Sequence, residues 1–281
     1  MTMVITCWGS RGSIPVSGKE YIKYGGDTTC MVIHTTSDDI IIVDAGTGIR
    51  RLGNHLIEQN RYHYNFLLTH GHWDHLMGFP FFKPLFLSRT EIHMHRAPFH
   101  KKFMQSMFSK VMAPPNFPVR YSDLKAKIVW KEGHPAEFTI GSATVVPIPI
   151  SHPNTGKGYK FIEDGKSFVF ITDNELGFVH PGGLPFQNYV DFCRGADLLI
   201  HDGEYIPEEY GRLIEWGHST YTDALELAFQ AGVKRLGLFH LNQERTDDQV
   251  DAIVAACRSI IAKRGQSLEC FAVGRDMTFT L

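Results

Sequence analysis

Between residues 69 and 75 the chain reads Thr69-His70-Gly71-His72-Trp73-Asp74-His75, and no other run constrains it as strongly. Three imidazoles and one carboxylate follow directly on the apolar stretch Asn65-Phe66-Leu67-Leu68. So many polar groups at a strand end need a cation or a costly desolvation. Neutral imidazole and carboxylate are the usual ligands of a hydrolytic metal site. Four such donors this close hardly serve one tetrahedral ion, so backbone geometry aims alternate members at two neighbouring ions. The pattern His-x-His-x-Asp-His at the C-terminal end of a strand therefore predicts a two-metal hydrolase. His93 and His95, another close pair among the 15 histidines, read as strand surface.

Composition narrows the remaining classes. The chain has 281 residues and 43% hydrophobic content, enough for a sizeable core. Lys plus Arg number 28 against 30 Asp plus Glu, a formal net charge of -2 that argues against a generic nucleic-acid-binding surface. No apolar run approaches the roughly 18 residues of a membrane span. The start, Met1-Thr2-Met3-Val4-Ile5-Thr6-Cys7, lacks the basic and apolar regions of a signal peptide. Cys7, Cys30, Cys193, Cys257 and Cys270 are scattered and odd in number, with no C-x-x-C. They read as buried thiols of a reducing cytoplasm rather than as disulfides or a thiolate cluster.

Short apolar strands are predicted at 4–7, 30–35, 40–44, 65–69 and 91–95. Asp44-Ala45-Gly46-Thr47-Gly48 ends one of them and opens a helix to about Glu58. Phe99 to Met112 reads as a helix broken by Pro114-Pro115-Asn116-Phe117-Pro118, within an excursion over 97–125 that suggests a lid or rim. A second strand series is predicted at 127–131, 136–140, 144–150, 158–163, 167–172 and 197–201, with a hairpin turn at Glu163-Asp164-Gly165-Lys166. Helices follow at 222–231 and 247–263, the latter carrying one apolar stripe through Val250, Ile253, Val254, Cys257, Ile260 and Ile261, with a strand at 235–239 between them. One domain spanning 1–281 is expected. Two sheets face to face with helices outside would suit this order, as would a doubly wound α/β fold.

Further ligand candidates end other apolar runs: His152 after 145–151, Asp173 after 168–172 and His240 after 236–239. With His70, His72, Asp74 and His75 they make five imidazoles and two carboxylates, a number suited to two ions. On these residues the chain resembles the metallo-β-lactamase-fold hydrolases over essentially its whole length. The resemblance implies an α/β fold, a four-layer αββα sandwich with a dinuclear metal site at one rim. It implies that His70, His72 and His152 hold one ion and Asp74, His75 and His240 the other, with Asp173 bridging. Asp44 would support the metal-binding loop by hydrogen bonds.

An Asp at position 173 resembles the phosphodiesterase, ribonuclease Z and glyoxalase II branches of that superfamily. Gly217-His218-Ser219-Thr220 is similar to the His-Ser-Thr motif of ribonuclease Z-like enzymes. Leu199-Ile200-His201-Asp202-Gly203-Glu204 is similar to their strand ending in His-Glu-Ala-Thr, with Asp202 in place of the Glu. The Gly- and Thr-rich runs at 9–15 and 24–30 resemble small bacterial phosphodiesterases of this fold. There, backbone N–H groups would approach a phosphate and Arg11 would pair with it. Ser219 and Thr220 join Arg11 as substrate-binding candidates.

The expected function is hydrolysis of small phosphodiesters such as cyclic nucleotides by a hydroxide bridging two divalent ions, Zn²⁺ first and Mn²⁺ or Fe as alternatives. Asp74 would take part, and His218 would protonate the leaving alkoxide while Asp202, or failing it Glu204, orients it. A ribonuclease Z-like RNA endonuclease is disfavoured by the lack of a long Gly- and Pro-rich arm of the kind that grips tRNA. A thioester or lactone hydrolase would use the same metals, with Phe79, Phe81, Phe82, Phe99 and Phe103 lining an apolar mouth. A non-catalytic metal protein that binds a signal has no support, because every expected ligand is present. A homodimer is the default assembly.

Overall fold

Runs such as Ile40-Ile41-Ile42-Val43 and Leu198-Leu199-Ile200 have no polar face, so strands built from them must be covered on both sides. The computed structural model describes residues 2–95, 101–131, 133 and 136–281 and covers them in that way. The strands are β1 Val4–Gly9, β2 Cys30–His34, β3 Ile40–Val43, β4 His63–Leu67, β5 Glu91–Met94, β6 Lys127–Trp130, β7 Phe138–Ile140, β8 Ala143–Pro149, β9 Lys157–Glu163, β10 Lys166–Ile171, β11 Leu198–Asp202, β12 Arg235–Phe239, β13 Glu269–Ala272 and β14 Thr278–Thr280. The helices are α1 Ile49–Glu58, α2 Lys101–Val111, α3 Phe186–Cys193, α4 Pro207–Tyr210, α5 Tyr221–Ala231 and α6 Asp247–Lys263.

Two seven-stranded sheets result, in the orders β14-β1-β2-β3-β4-β5-β6 and β13-β12-β11-β10-β9-β8-β7. Cys7, Ile41, Leu67, Phe161, Phe170 and Phe239 belong to the core between them. A second core joins the outer face of the first sheet to α1 and α2 through Leu52, Leu56, Phe66, Met104 and Phe108. A third joins the other sheet to α3, α5 and α6 through Tyr189, Leu225, Leu227, Cys257 and Ile261. The layer order is therefore αββα, which settles the choice between a sandwich and a doubly wound sheet. The predicted residues Phe99 and His100 lie outside the described residues; from Lys101 on, α2 packs inward, with Phe108 stacked on Phe79 at 4.0 Å between centroids. No helix among the described residues is long and apolar enough to cross a membrane.

Local signals explain the element ends. The turn at Asp164 and Gly165 has positive φ at both residues, the conformation of a two-residue hairpin matching strand twist. Thr220 caps α5 and Thr246 caps α6, each accepting from the backbone N–H three residues on, and Gly232 closes α5 in the left-handed conformation. Strands β3 to β6 run parallel, as do β10 to β13. The loops leaving β3, β4, β10, β11 and β12 consequently gather at one rim.

Away from that rim the sheets part. On β4 and β5, Tyr64, Phe66, Ile92 and Met94 turn outward to the helix layer, leaving His63, Asn65 and His93 on the inner face. These three line a cavity of about 990 Å³ between the sheets, together with His95, Lys131 and Lys157.

Candidate metal centre

All seven predicted ligands meet at the rim. Facing donor atoms of His70, His72, His152 and Asp173 lie within 4.8 Å of one another, and so do those of Asp74, His75, Asp173 and His240. Asp173 is common to both groups, with Oδ2 3.5 Å from His70 Nε2 and 3.3 Å from His240 Nε2, and Oδ1 3.4 Å from His75 Nε2. Asp74 Oδ2 lies 3.1 Å from His240 Nε2.

A layer of hydrogen bonds behind the imidazoles decides which nitrogen faces the centre. Asp44, at the end of β3, accepts from the Thr69 N–H at 2.7 Å, from the Thr69 hydroxyl at 2.7 Å and from His75 Nδ1 at 2.8 Å. His152 Nδ1 donates to the Gly217 carbonyl at 3.0 Å, and His240 Nδ1 to Glu204 at 2.7 Å. These bonds leave Nε2 of His75, His152 and His240 free for a cation, the arrangement that orients metal-bound histidines. The second sheet braces the 69–75 loop: the Tyr159 hydroxyl donates to the Leu68 carbonyl and the Lys157 N–H to that of Thr69, both at 2.7 Å.

The donor set fits divalent cations on its own chemistry. His70 Nε2 and His75 Nε2 are buried with no hydrogen-bond partner among the described residues. Burial holds His70 well below the ordinary imidazole range and His152 at about 3, so both stand as neutral donors. For His75 and His240 burial also opposes charge, but Asp173 and the neighbouring carboxylates outweigh it and draw both upward. The cluster thus attracts positive charge where Asp74 and Asp173 converge.

Two glycines fit this packing. A Cβ on Gly12 would stand 2.3 Å from His240 Nδ1, and one on Gly217, at φ +92°, 2.0 Å from His152 Nδ1. Three centre residues, Asp44, Asp173 and His240, adopt positive φ of 63°, 55° and 54°.

His218 stacks on His240 with ring centroids 4.6 Å apart. Its Nδ1 is buried and lies 3.5 Å from Glu204, 3.7 Å from Asp202 and 4.0 Å from Asp173, none a hydrogen bond by geometry. Burial opposes its charged form, yet the net direction is upward because Glu204 and Asp202 face it. Both candidate partners are therefore at hand. Asp202 is also engaged by the backbone N–H groups of Asn174 and Ser219.

Three substrate-binding expectations need correction. Arg11 is wholly buried and donates to the carbonyls of Gly25, Asn242 and Arg245, so it ties loops together and has no reach to a phosphate. Ser219 Oγ donates to the Asn174 carbonyl and accepts from the Leu176 N–H. Thr220 is spent on the cap of α5. The glycine-rich run instead turns Ser13 N–H onto Asp74 Oδ2 at 2.9 Å. Phe79 and Phe82 are buried in the outer core, where Phe82 packs edge-on against Tyr64 and Phe66, rather than lining a mouth. Glu175 carried no sequence signal. Its buried carboxylate accepts from His180 Nε2, Tyr210 Oη and the backbone N–H groups of Glu215 and Gly217, all at 2.8–2.9 Å.

Two facing sheets inside two helix layers, with His and Asp side chains gathered at one rim, define a hydrolase of the metallo-β-lactamase fold. Residues 40–241 match the family described as beta-lactamase superfamily domain, and the chain belongs to that family. It is a metal-dependent hydrolase on the ribonuclease Z-like side of the superfamily. A ribonuclease Z of Myxococcus xanthus (strain DK1622) is 26% identical over 254 residues, 75% of this chain and 80% of that protein. Among solved structures, the metallo-beta-lactamase fold protein YhfI from Bacillus subtilis superposes with a TM-score of 0.71 at 18% identity, over 99% of both chains. A diphosphatase from the PhnP family gives 0.69 at 14% identity, covering 99% of this chain and 98% of that one.

Proposed function

We propose that the chain is a two-metal phosphodiesterase acting on small diesters, cyclic nucleotides among them. The observation that carries this reading is the Asp173 carboxylate shared by both donor groups, with His218 stacked directly behind one of them. His70, His72, His152 and Asp173 would hold one ion and Asp74, His75, His240 and Asp173 the other, with Zn²⁺ favoured over Mn²⁺ or Fe. When bound, such ions supply Lewis acidity to phosphate oxygens and lower the pKa of water.

The chain's own groups do the rest. Asp44, Glu204 and the Gly217 carbonyl fix three imidazoles, so the donors need little reorganisation. His218 gives its proton to the departing alkoxide oxygen, and Glu204 and Asp202 favour its protonated form. An RNA endonuclease is the second reading, supported by the relatives named ribonuclease Z. The acyl-ester reading loses Phe79 and Phe82 from its apolar mouth to the core, while Phe81 and Phe103 stay exposed. The reading extends to one domain over 1–281, working in the cytoplasm, with a homodimer as the expected assembly.

Elemental analysis should find about two ions per chain, and hydrolysis of bis-p-nitrophenyl phosphate should vanish on chelation and return with Zn²⁺ or Mn²⁺. Two ions without cleavage would move the reaction to acyl esters. No bound metal and no rescue would remove the centre itself.

A further inference from the structure

Large apolar side chains left in water cost free energy and cluster where something binds. Among the described residues, five of the nine exposed large apolar side chains, Ile14, Trp73, Val179, Ile214 and Trp216, sit on segments that carry or touch the candidate ligands. Trp73 lies between His72 and Asp74. Trp216 precedes Gly217, whose carbonyl holds His152. Ile14 follows Ser13, whose N–H binds Asp74. Val179 lies between Phe178 and His180, both bonded to Ser151 beside His152.

The two indoles are the most exposed of this set, Trp73 at 56% and Trp216 at 64%. They border the same donor group. His72 Nδ1 lies 3.1 Å from His152 Nε2, and His152 Nδ1 lies 3.0 Å from the Gly217 carbonyl. A short path therefore joins Trp73 to Trp216 through one imidazole pair. The backbone beneath both indoles is braced: Glu175 pins it on either side of Trp216 at Glu215 and Gly217, and Trp73 lies within a single 3-10 turn. The segments 10–16, 70–78, 174–184 and 206–218 that carry or border them contain two cationic side chains, Arg11, which is buried and bonded to carbonyls, and Arg212. A long polyanion binds through many Lys and Arg contacts, which this collar lacks.

We propose that Trp73 and Trp216 form a stacking subsite for one nucleobase of a small diester, on the His70–His72–His152 side of the centre. Any base offers a π-face to an indole, so the subsite selects for a base without selecting among bases. This rests on the phosphodiesterase reading for the identity of the substrate, but the subsite itself can be tested by binding alone.

Metal-loaded protein is titrated with adenosine 5′-monophosphate and with ribose 5-phosphate, in the unaltered chain and in Trp73→Ala, Trp216→Ala and the corresponding Phe variants, with metal content checked in each. The base should tighten binding about tenfold or more. Each Ala variant should lose much of that difference, and Phe should restore it. Equal binding of the two probes, or a difference that survives both Ala substitutions, overturns the subsite. Tight, salt-sensitive binding of a single-stranded oligonucleotide that survives both substitutions replaces it with a polyanion groove. A base preference without diester cleavage keeps the subsite and sinks the phosphodiesterase reading instead.

Discussion

At the scale of single residues, the centre depends on groups that differ in what they contribute. On the proposed reading, removing His218 should separate binding from proton transfer. His218→Ala should cut turnover of alkyl diesters by about 10²–10⁴-fold. Activated aryl diesters, whose leaving groups need no proton, should lose far less. Steady-state kinetics on both classes decides the point, and equal losses would end the acid assignment. The seven residues that gather at the rim were legible because they follow strand ends, where an apolar run followed by His or Asp stands out. Arg11 misled for a physical reason: an arginine between glycines looks like a phosphate clamp. Nothing local reveals that Arg11 will be buried with its terminal nitrogens bonded to the carbonyls of Gly25, Asn242 and Arg245. Glu175 stayed hidden for the same reason, since its partners lie up to 42 residues away.

At the scale of elements, strands and the late helices were legible from period and caps, and α6 has its predicted bounds. The short edge strand β14 and helix α3 were not, because three strand residues or two helical turns give no usable period. The segment from α4 to His218 is the element most exposed to a single change. It holds almost no core of its own and is anchored to the Glu175 carboxylate by three hydrogen bonds, from Tyr210, Glu215 and Gly217, beside a fourth that the same carboxylate accepts from His180. Glu175→Ala strands those buried donors and should cost about 3 kcal/mol or more in urea unfolding. Limited proteolysis should then open the chain between 206 and 217. Glu175→Gln should fall between, because its amide keeps one acceptor and turns donors toward donors. A loss under about 1 kcal/mol would show that the segment is held by something else.

At the scale of the whole molecule, the two sheets behave unequally. Where β3 and β10 meet they are closed by apolar residues, and where β4 and β5 face β7 and β8 they part around polar side chains. His95 belongs to that parted region, donating from Nε2 to Asn65 Oδ1 at 2.9 Å and stacked on Phe138. Burial first, and Lys131 and His93 second, push it down from 6.5 to about 4. The unfolded chain therefore takes up this proton before the folded one does. The resulting penalty begins as pH falls below about 6.5, grows through the window, and is complete below about 4. At pH 5 it should reach about 1–2 kcal/mol. His95→Gln, which keeps a donor but cannot titrate, should flatten the fall in thermal midpoint between pH 7 and 5. An unchanged slope would count against His95.

Asp44, Asp173 and His240 all sit in the left-handed region, which L-residues enter at a cost of about 1 kcal/mol each. Glycine at any of these positions would relieve the strain, but at Asp44 it would strand three buried donors and at His240 leave Glu204 without its imidazole partner. The hydrogen bonding lost outweighs the strain saved. These three corners are thus held bent by the same groups that face the centre, and the sandwich cannot be relaxed there without dismantling the site it carries.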